Sequence, residues 1–240
     1  MRTYIKITSL FVVFLAAALF ASAQTNDRTP TTVPDPGPAT VEAVPDTNIA
    51  SRYRLKRGDN EFGFWGGVSF KATTIFSGLH EDEAADRKFF LAAFRYGRTL
   101  AANDSVALQY TLDVIPVAVA TGVIVSRTNL GGPDVFRRET AYGAGVTPAA
   151  LQLDFRNGSK VHPFIHVNGG FLVFNKPMPI EDSGDLALVG EAGTGVRVFT
   201  IDGRAVTLGV RFHHISNGNR SGANRGLNQF IFYAGFSIFK

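Results

Sequence analysis

The sequence has 240 residues, contains no cysteine and has charged side chains at 18% of its positions. Without cysteine it can form neither a disulfide framework nor a Cys-based zinc site, and it has no thiolate nucleophile. The charged fraction is below the roughly 25% of an ordinary soluble domain. This deficit indicates that part of the surface faces something other than water.

The first residues have the pattern of a secretory signal peptide. A short basic region, MRTYIK, precedes the apolar run LFVVFLAAALF and the small residues of ASAQ. We therefore predict residues 1–23 as a signal peptide cleaved after Ala23, with an uncleaved membrane anchor as the alternative. Removing Arg2 and Lys6 with this segment leaves 22 basic and 20 acidic residues. That balance does not support nucleic acid as a partner.

Residues 24–59 are predicted to form a Pro-rich disordered linker. The stretch TPTTVPDPGPATVEAVPD holds five prolines and few side chains able to build a core. Such a composition favours an extended or disordered chain. The folded domain is therefore placed at residues 60–240.

Eight candidate strands follow the linker. Each is an apolar-rich run with a period of two, bounded by Gly, Asn, Asp or Pro, and no amphipathic helix is recognisable. The runs cover residues 61–71, 88–101, 105–119, 142–155, 161–174, 187–201, 204–216 and 227–239. Several reach the roughly nine to eleven residues that a strand needs to cross a bilayer.

The alternation within these runs separates an apolar face from a polar one. In 204–216 one row reads Val206, Leu208, Val210 and Phe212, and the other reads Thr207, Gly209, Arg211 and His213. A soluble sandwich or lipocalin-like barrel buries the apolar face, whereas a membrane barrel turns it toward lipid. The predicted export, the strand length and the aromatic last strand favour the membrane barrel.

We therefore predict an all-β fold, an eight-stranded antiparallel up-and-down barrel in the outer membrane of a Gram-negative-type envelope. Strands in lipid must close on themselves, because open edges leave unpaired backbone groups in hydrocarbon. A barrel of this size is filled by its own side chains. The predicted members of an interior polar network are Arg95, Asp113, Glu191, Arg197 and Arg211.

A candidate catalytic group lies at the end of the 204–216 run. His214 and Ser216 continue the outward row, whereas the adjacent His213 faces the interior. Asn228 begins the outward row of the last strand, so pairing of the last two strands places it near His214. A serine hydroxyl needs a base to take its proton, and a third group usually orients that base. The competing interpretation is a polar rim near lipid head groups.

Four features near the C-terminus point to a known family: FHHISNGN, ANRGLN, the segment HPFIHVNGGFLVFNKPMP and the aromatic final strand. They resemble the lipid A 3-O-deacylase (PagL-type) family of outer membranes and its acyloxyacyl-hydrolase-like relatives. The resemblance implies a Ser–His–acid site on the lipid-facing surface of an eight-stranded barrel. It implies Ser216 as nucleophile and His214 as base, with Asn217 and the backbone at Gly218 as oxyanion donors.

The sequence departs from this family at Asn228, where an acid is expected. An amide can orient a histidine but supplies no negative charge, and an acid-to-amide change in a serine protease lowers kcat by about 10⁴. The sequence therefore predicts a serine-type esterase acting on lipid A or a related envelope lipid, with Ser216, His214 and Asn228 as its catalytic group. The alternatives are a catalytically decayed structural or adhesive barrel and a soluble lipocalin-like lipid binder.

The predicted partner is membrane lipid. Arg220 and Arg225, in the loop after the serine, are candidate contacts for lipid phosphates, to which arginine commonly binds. No cofactor and no metal ion are predicted. His213 and His214 point to opposite faces of one strand and so are unsuited to ligate one ion.

Overall fold

The computed structural model describes residues 52–73, 75, 86–126, 135–180, 183–200, 203–220 and 224–240. The predicted signal peptide, residues 1–23, and residues 24–51 of the predicted linker lie outside the described residues. In the part of the chain that is described, no helix is both long enough and apolar enough to cross a membrane.

Antiparallel strands account for almost all of the described chain. They are β1 (Asn60–Ser69), β2 (Ala72–Thr73), β3 (Lys88–Ala102), β4 (Val106–Ser126), β5 (Val135–Phe155), β6 (Val161–Phe174), β7 (Leu186–Phe199), β8 (Arg204–Ser216) and β9 (Leu227–Phe239). Each long strand pairs with the next, and β1 pairs with β9 to close the sheet. The two-residue β2 follows β1 and also pairs with β9. The predicted eight-stranded barrel is confirmed.

The β4–β5 hairpin is longer than the sequence indicated. The predicted runs end at residue 119 and begin at residue 142, whereas the strands continue to Ser126 and start at Val135. Residues 135–138 are exposed on both faces. Because the hairpin here is held by backbone pairing and not by a buried face, hydrophobic periodicity does not reveal it.

The barrel exposes large apolar side chains on its outer surface and buries charged side chains in its interior, beside an apolar core cluster. Phe64, Phe94, Leu208 and Phe232 are each more than half exposed on the outer surface. The five predicted interior residues are all buried: Arg95, Asp113, Glu191, Arg197 and Arg211. This is the distribution of a membrane-spanning barrel, whose outer face meets hydrocarbon.

Ion pairs and a cluster of buried apolar side chains together fill the barrel interior. Arg95 binds Asp113 through two hydrogen bonds of 2.7 and 2.8 Å. Arg197 contacts Glu61 at 3.0 Å and Asp154 at 3.1 Å. Paired and hydrogen-bonded charges are the form in which such groups are tolerated away from water. The predicted interior network is therefore present.

The two ends of the barrel differ in their connections. One end carries the short turns 103–105, 156–160 and 200–203, and the other carries 70–87, 127–134, 175–185 and 217–226. Short turns on one side and longer loops on the other are typical of outer-membrane barrels, where the longer loops face outward. His214 and Ser216 lie at the long-loop end.

Residues 52–59, the last part of the predicted linker, pack against the short-turn end. The Leu55 backbone N–H donates to Asn157 Oδ1 at 2.8 Å, and Asn157 Nδ2 donates to the Leu55 carbonyl at 2.9 Å. The Leu55 side chain is buried in a cluster with Phe199 and Ala205. This segment is therefore part of the packed barrel end.

A segment of the β6–β7 connection closes the interior at the long-loop end. Met178 and Ile180 are buried against the barrel core. Arg87 Nη2 donates to the Pro179 carbonyl at 2.5 Å, and Arg87 Nε donates to the Val123 carbonyl. Burial lowers the pKa of Arg87 to about 10, so the group stays protonated at neutral pH and keeps both contacts.

Candidate active site

Strand register places His214 beside Asn228. The two residues are directly paired between β8 and β9, and His214 Nδ1 lies 2.5 Å from Asn228 Oδ1. Ser216 follows on the same outward row of β8, with Cα atoms roughly 6–7 Å apart. The structure thus joins His214 to Asn228 and places Ser216 on the same outward row, as strand parity predicted.

The three residues lie at the long-loop edge of the exposed apolar outer surface. His214 and Ser216 are half-buried on the outer face. The rings of Phe212 and Phe230 lie in the next outward positions, edge to face with centroids 5.5 Å apart. A polar group is therefore placed where the apolar band meets the long-loop end of the barrel.

Asn228 is fully buried although it belongs to an outward row. The chain after β2 reaches it: Thr73 pairs with Asn228, and Asn228 Nδ2 donates to the Ile75 carbonyl. The Asn228 amide therefore contacts His214 through its oxygen and the main chain at Ile75 through its nitrogen. Sequence reasoning missed this contact because the two residues are 153 positions apart.

The His214 ring is confined on one side and open on the other. A Cβ atom at Gly226 would stand 2.6 Å from Cε1 of His214, whereas one at Gly190 would meet nothing within 4 Å. Gly190 is the partner of His214 on β7. Gly226 was not predicted as a site residue, although it lies inside the ANRGLN motif.

Asn217 links the β8–β9 connection to the β6–β7 connection through hydrogen bonds. Its side chain is 2% exposed, and Nδ2 donates to the Ser183 carbonyl at 3.1 Å. Its backbone N–H donates to Asn224 Oδ1 at 3.2 Å. Gly218 has a φ of +62°, which suits glycine in the following turn. The oxyanion role of Asn217 and Gly218 stays a prediction.

The two predicted phosphate contacts lie on the same loop. Arg220 is exposed and its Nε donates to the Asn217 carbonyl at 3.2 Å. Arg225 is half-buried beside Gly226. Both side chains are thus within the loop that follows Ser216, and their role as lipid contacts stays a prediction.

His213 faces the interior, as strand parity predicted. Its Nδ1 lies 2.7 Å from Glu191 Oε1. Glu191 Oε2 accepts from Arg211 Nη1 at 2.8 Å and from Asn168 Nδ2 at 2.7 Å. Glu191 is therefore committed to the barrel core and cannot replace the missing acid beside His214. Within the described ranges, no group of three His, Cys, Asp or Glu side chains is placed to hold a metal ion.

An apolar depression of about 630 Å³ lies on the outer surface toward the middle of the barrel. Its lining includes Gly66, Val68, Phe90, Leu208, Phe232 and Ala234. Phe232 is four residues from Asn228 on β9, roughly 13 Å along the strand. The depression is therefore on the same outer face as the His214 group.

Comparison with known proteins gives one family match. The family described as lipid A 3-O-deacylase (PagL) matches residues 100–237. No curated protein matches the sequence at a significant level. Among solved structures, the chain is similar to the outer-membrane enzyme PagL, with 15% identity, a TM-score of 0.42, and coverage of 75% of this chain and 98% of that one.

Two further similar structures are known. The N-terminal β-barrel domain of Pseudomonas aeruginosa OprF has 9% identity and a TM-score of 0.41, covering 78% of this chain and 100% of that one. Neisserial surface protein A has 13% identity and a TM-score of 0.42, covering 75% of this chain and 96% of that one.

Proposed function

Because this chain belongs to the lipid A 3-O-deacylase (PagL) family, we propose that it is an outer-membrane serine esterase. It removes an ester-linked acyl chain from lipid A or a related envelope lipid. The observation that carries the proposal is the contact between His214 Nδ1 and Asn228 Oδ1, on the outward row that also holds Ser216.

The reaction follows the chemistry of a serine nucleophile and its base. Ser216 Oγ attacks the ester carbonyl carbon while His214 Nε2 takes the hydroxyl proton. The Gly218 backbone N–H is the proposed donor to the negative oxygen of the tetrahedral intermediate. Asn217 contributes only if it releases one of its hydrogen bonds to Asn224 and Ser183. As the ester bond breaks, His214 returns the proton to the departing alcohol oxygen, which leaves an acyl-enzyme.

Water completes the cycle. His214 takes a proton from the water as its oxygen attacks the acyl carbonyl, and the same proton then returns to Ser216 Oγ as the fatty acid leaves. Asn228 holds the His214 ring throughout but adds no negative charge. We therefore expect turnover slower than that of relatives with an acid at this position.

The position of the site suits a lipid substrate. Phe212 and Phe230 lie directly below the polar group, and the apolar depression continues the same surface toward the middle of the barrel. An acyl chain lying on this surface keeps its ester at the level of Ser216. In the same pose Arg220 and Arg225 lie in the loop region where head-group phosphates are expected, and arginine binds phosphate well.

Two observations bear on the alternatives. The exposed apolar band, with Phe94 65% and Phe64 58% exposed, disfavours a soluble lipocalin-like binder, because such patches are rare on soluble proteins. Asn228 in the place of an acid favours a decayed barrel that has kept the site's geometry without its activity. A decayed barrel predicts that lipid A keeps all of its acyl chains, whereas the esterase predicts the loss of one.

Mass spectrometry of lipid A separates the two. Cells with a lipid A-bearing outer membrane express wild type, Ser216→Ala, or the control Ser105→Ala, which changes an exposed serine in the β3–β4 turn. The esterase predicts lipid A lighter by one acyl chain in wild type and in Ser105→Ala, and unmodified lipid A in Ser216→Ala. Unmodified lipid A in all three, with each barrel folded, contradicts the esterase and supports the decayed barrel.

A further inference from the structure

We propose that the main-chain carbonyl of Ile75 is a positioning group of this site. By accepting a hydrogen bond from Asn228 Nδ2, it determines which end of the Asn228 amide faces His214. The end that faces His214 in turn determines which ring nitrogen of His214 carries the proton. Ile75 acts on the same histidine that the proposed function uses, so its catalytic consequence rests on that function.

An amide beside a histidine is ambiguous on its own. The side chain of asparagine has a carbonyl oxygen that only accepts and an NH₂ group that only donates. If the NH₂ of Asn228 faced Nδ1 of His214, that nitrogen would present its lone pair and the proton would sit on Nε2. A histidine in that state cannot take the Ser216 proton. This wrong tautomer is the reason that an acid-to-amide change is so damaging in serine proteases.

The Ile75 carbonyl removes the ambiguity. A carbonyl oxygen can only accept, so a reversed amide would place Asn228 Oδ1 against another acceptor. The Asn228 side chain is 0% exposed, and water therefore cannot compensate for the lost hydrogen bond. The favoured orientation has Nδ2 on Ile75 and Oδ1 on His214, as observed.

The consequence for His214 follows directly. With Oδ1 of Asn228 as acceptor, the neutral ring donates from Nδ1–H and leaves a lone pair on Nε2. That nitrogen is the one able to accept the hydroxyl proton of Ser216. An amide at residue 228 therefore suits the Ile75 carbonyl, to which it can donate. A carboxylate at the same position would place a negative oxygen against that carbonyl.

The carbonyl is held in place by the segment that precedes it. Thr73 pairs with Asn228 on β9, and the Ile75 backbone N–H donates to Thr73 Oγ1 at 3.3 Å. The Thr73 hydroxyl therefore anchors the main chain of Ile75 at its N–H, on the residue whose carbonyl reaches Asn228. A Thr73→Val change removes this acceptor while it keeps the shape of the side chain, whereas Thr73→Ser keeps the hydroxyl.

The ¹⁵N spectrum of the imidazole rings measures the tautomer without any turnover. Protein labelled with ¹⁵N-histidine is studied in detergent micelles at a pH where His214 is neutral, and its signals are assigned by their loss in His214→Gln. We expect Nδ1–H in the wild type and an increased Nε2–H population in Thr73→Val, with Thr73→Ser resembling wild type. Wild-type protein that carries the proton on Nε2 overturns the inference, whatever its activity.

A second arm uses Asn228→Asp, whose carboxylate has two accepting oxygens and therefore no wrong end. Thr73→Val is expected to lower ester cleavage by about two- to tenfold when Asn228 is intact, the range that one hydrogen bond supports. It is expected to cause no loss when it is combined with Asn228→Asp, because the Ile75 carbonyl opposes a carboxylate at that position. An equal loss in both backgrounds assigns Thr73 and Ile75 a purely structural role and overturns the inference. Wild-type protein with Nδ1–H that leaves lipid A intact contradicts the proposed esterase only.

Discussion

The imidazole of His214 lies so close to Gly226 that a methyl group at residue 226 would stand 2.6 Å from Cε1. The main chain of the β8–β9 loop therefore limits the ring from one side, while Asn228 holds Nδ1. On the β7 side, the outward surface at Gly190 is open. The ring is thus fixed by its own hairpin and is free on the side from which a lipid can approach.

Gly226→Ala is expected to inactivate the esterase without unfolding the barrel. The added methyl displaces the His214 ring, and a misplacement of about 1 Å can lower a rate by about 10². Gly190→Ala is the matched control, since the same methyl on the other neighbour of His214 meets nothing within 4 Å. Lipid A deacylation in intact cells measures both variants. Equal activities would show that Gly226 does not set the position of the ring.

Arg197→Met is expected to destabilise the barrel strongly. Arg197 is 0% exposed and pairs with Glu61 and Asp154, so its removal leaves two buried carboxylates without their cation. Breaking a buried ion pair in this way costs about 3–5 kcal/mol. Urea unfolding of the protein in lipid vesicles, followed by tryptophan fluorescence, measures the change.

The control for Arg197 is Arg137→Met. The Arg137 side chain is 52% exposed and pairs with Glu139 at 3.3 Å, and exposed pairs contribute only about 0–1 kcal/mol. A similar loss in the two variants would contradict the interior network as the source of stability.

Leu208→Arg tests which medium the outer face meets. Leu208 is 53% exposed in the outward row of β8, and an arginine on the lipid face near the bilayer midplane costs about 2–4 kcal/mol. Ser105→Arg, in an exposed turn, is expected to change the unfolding free energy little. If vesicle-bound protein tolerates Leu208→Arg as well as Ser105→Arg, then this face of the barrel does not contact hydrocarbon.

Asn157→Ala is expected to release the segment around Leu55 from the short-turn end. The change removes both hydrogen bonds to Leu55, of 2.8 and 2.9 Å, and a third to the Asn103 carbonyl at 2.7 Å. Unsatisfied buried groups cost about 1–3 kcal/mol each. Limited trypsin digestion should then cut faster after Lys56 and Arg57. The exposed pair between Arg54 and Asp104 supplies the control, because Asp104→Asn alters a contact whose carboxylate is 82% exposed.

Much of the barrel was predictable from the sequence because a strand has a period of two. That period assigned His213 to the interior and His214 and Ser216 to the outer face before any contact was known. The adjacency of two sequential strands then brought Asn228 to His214. The predicted runs agree closely with the long strands for the same reason, except in the β4–β5 hairpin, which extends well past its predicted ends.

The contacts that complete the site were decided by the tertiary structure alone. Periodicity states which face a side chain occupies, but it carries no information on which distant backbone atom that side chain meets. The Ile75 carbonyl reaches Asn228 across 153 residues, and Gly226 meets His214 through the path of a loop. The sequence by itself determined the eight barrel strands apart from the far ends of β4 and β5, together with the two faces and the residues that share them. The orientation of the Asn228 amide depends on hydrogen-bond distances that only the closed barrel establishes.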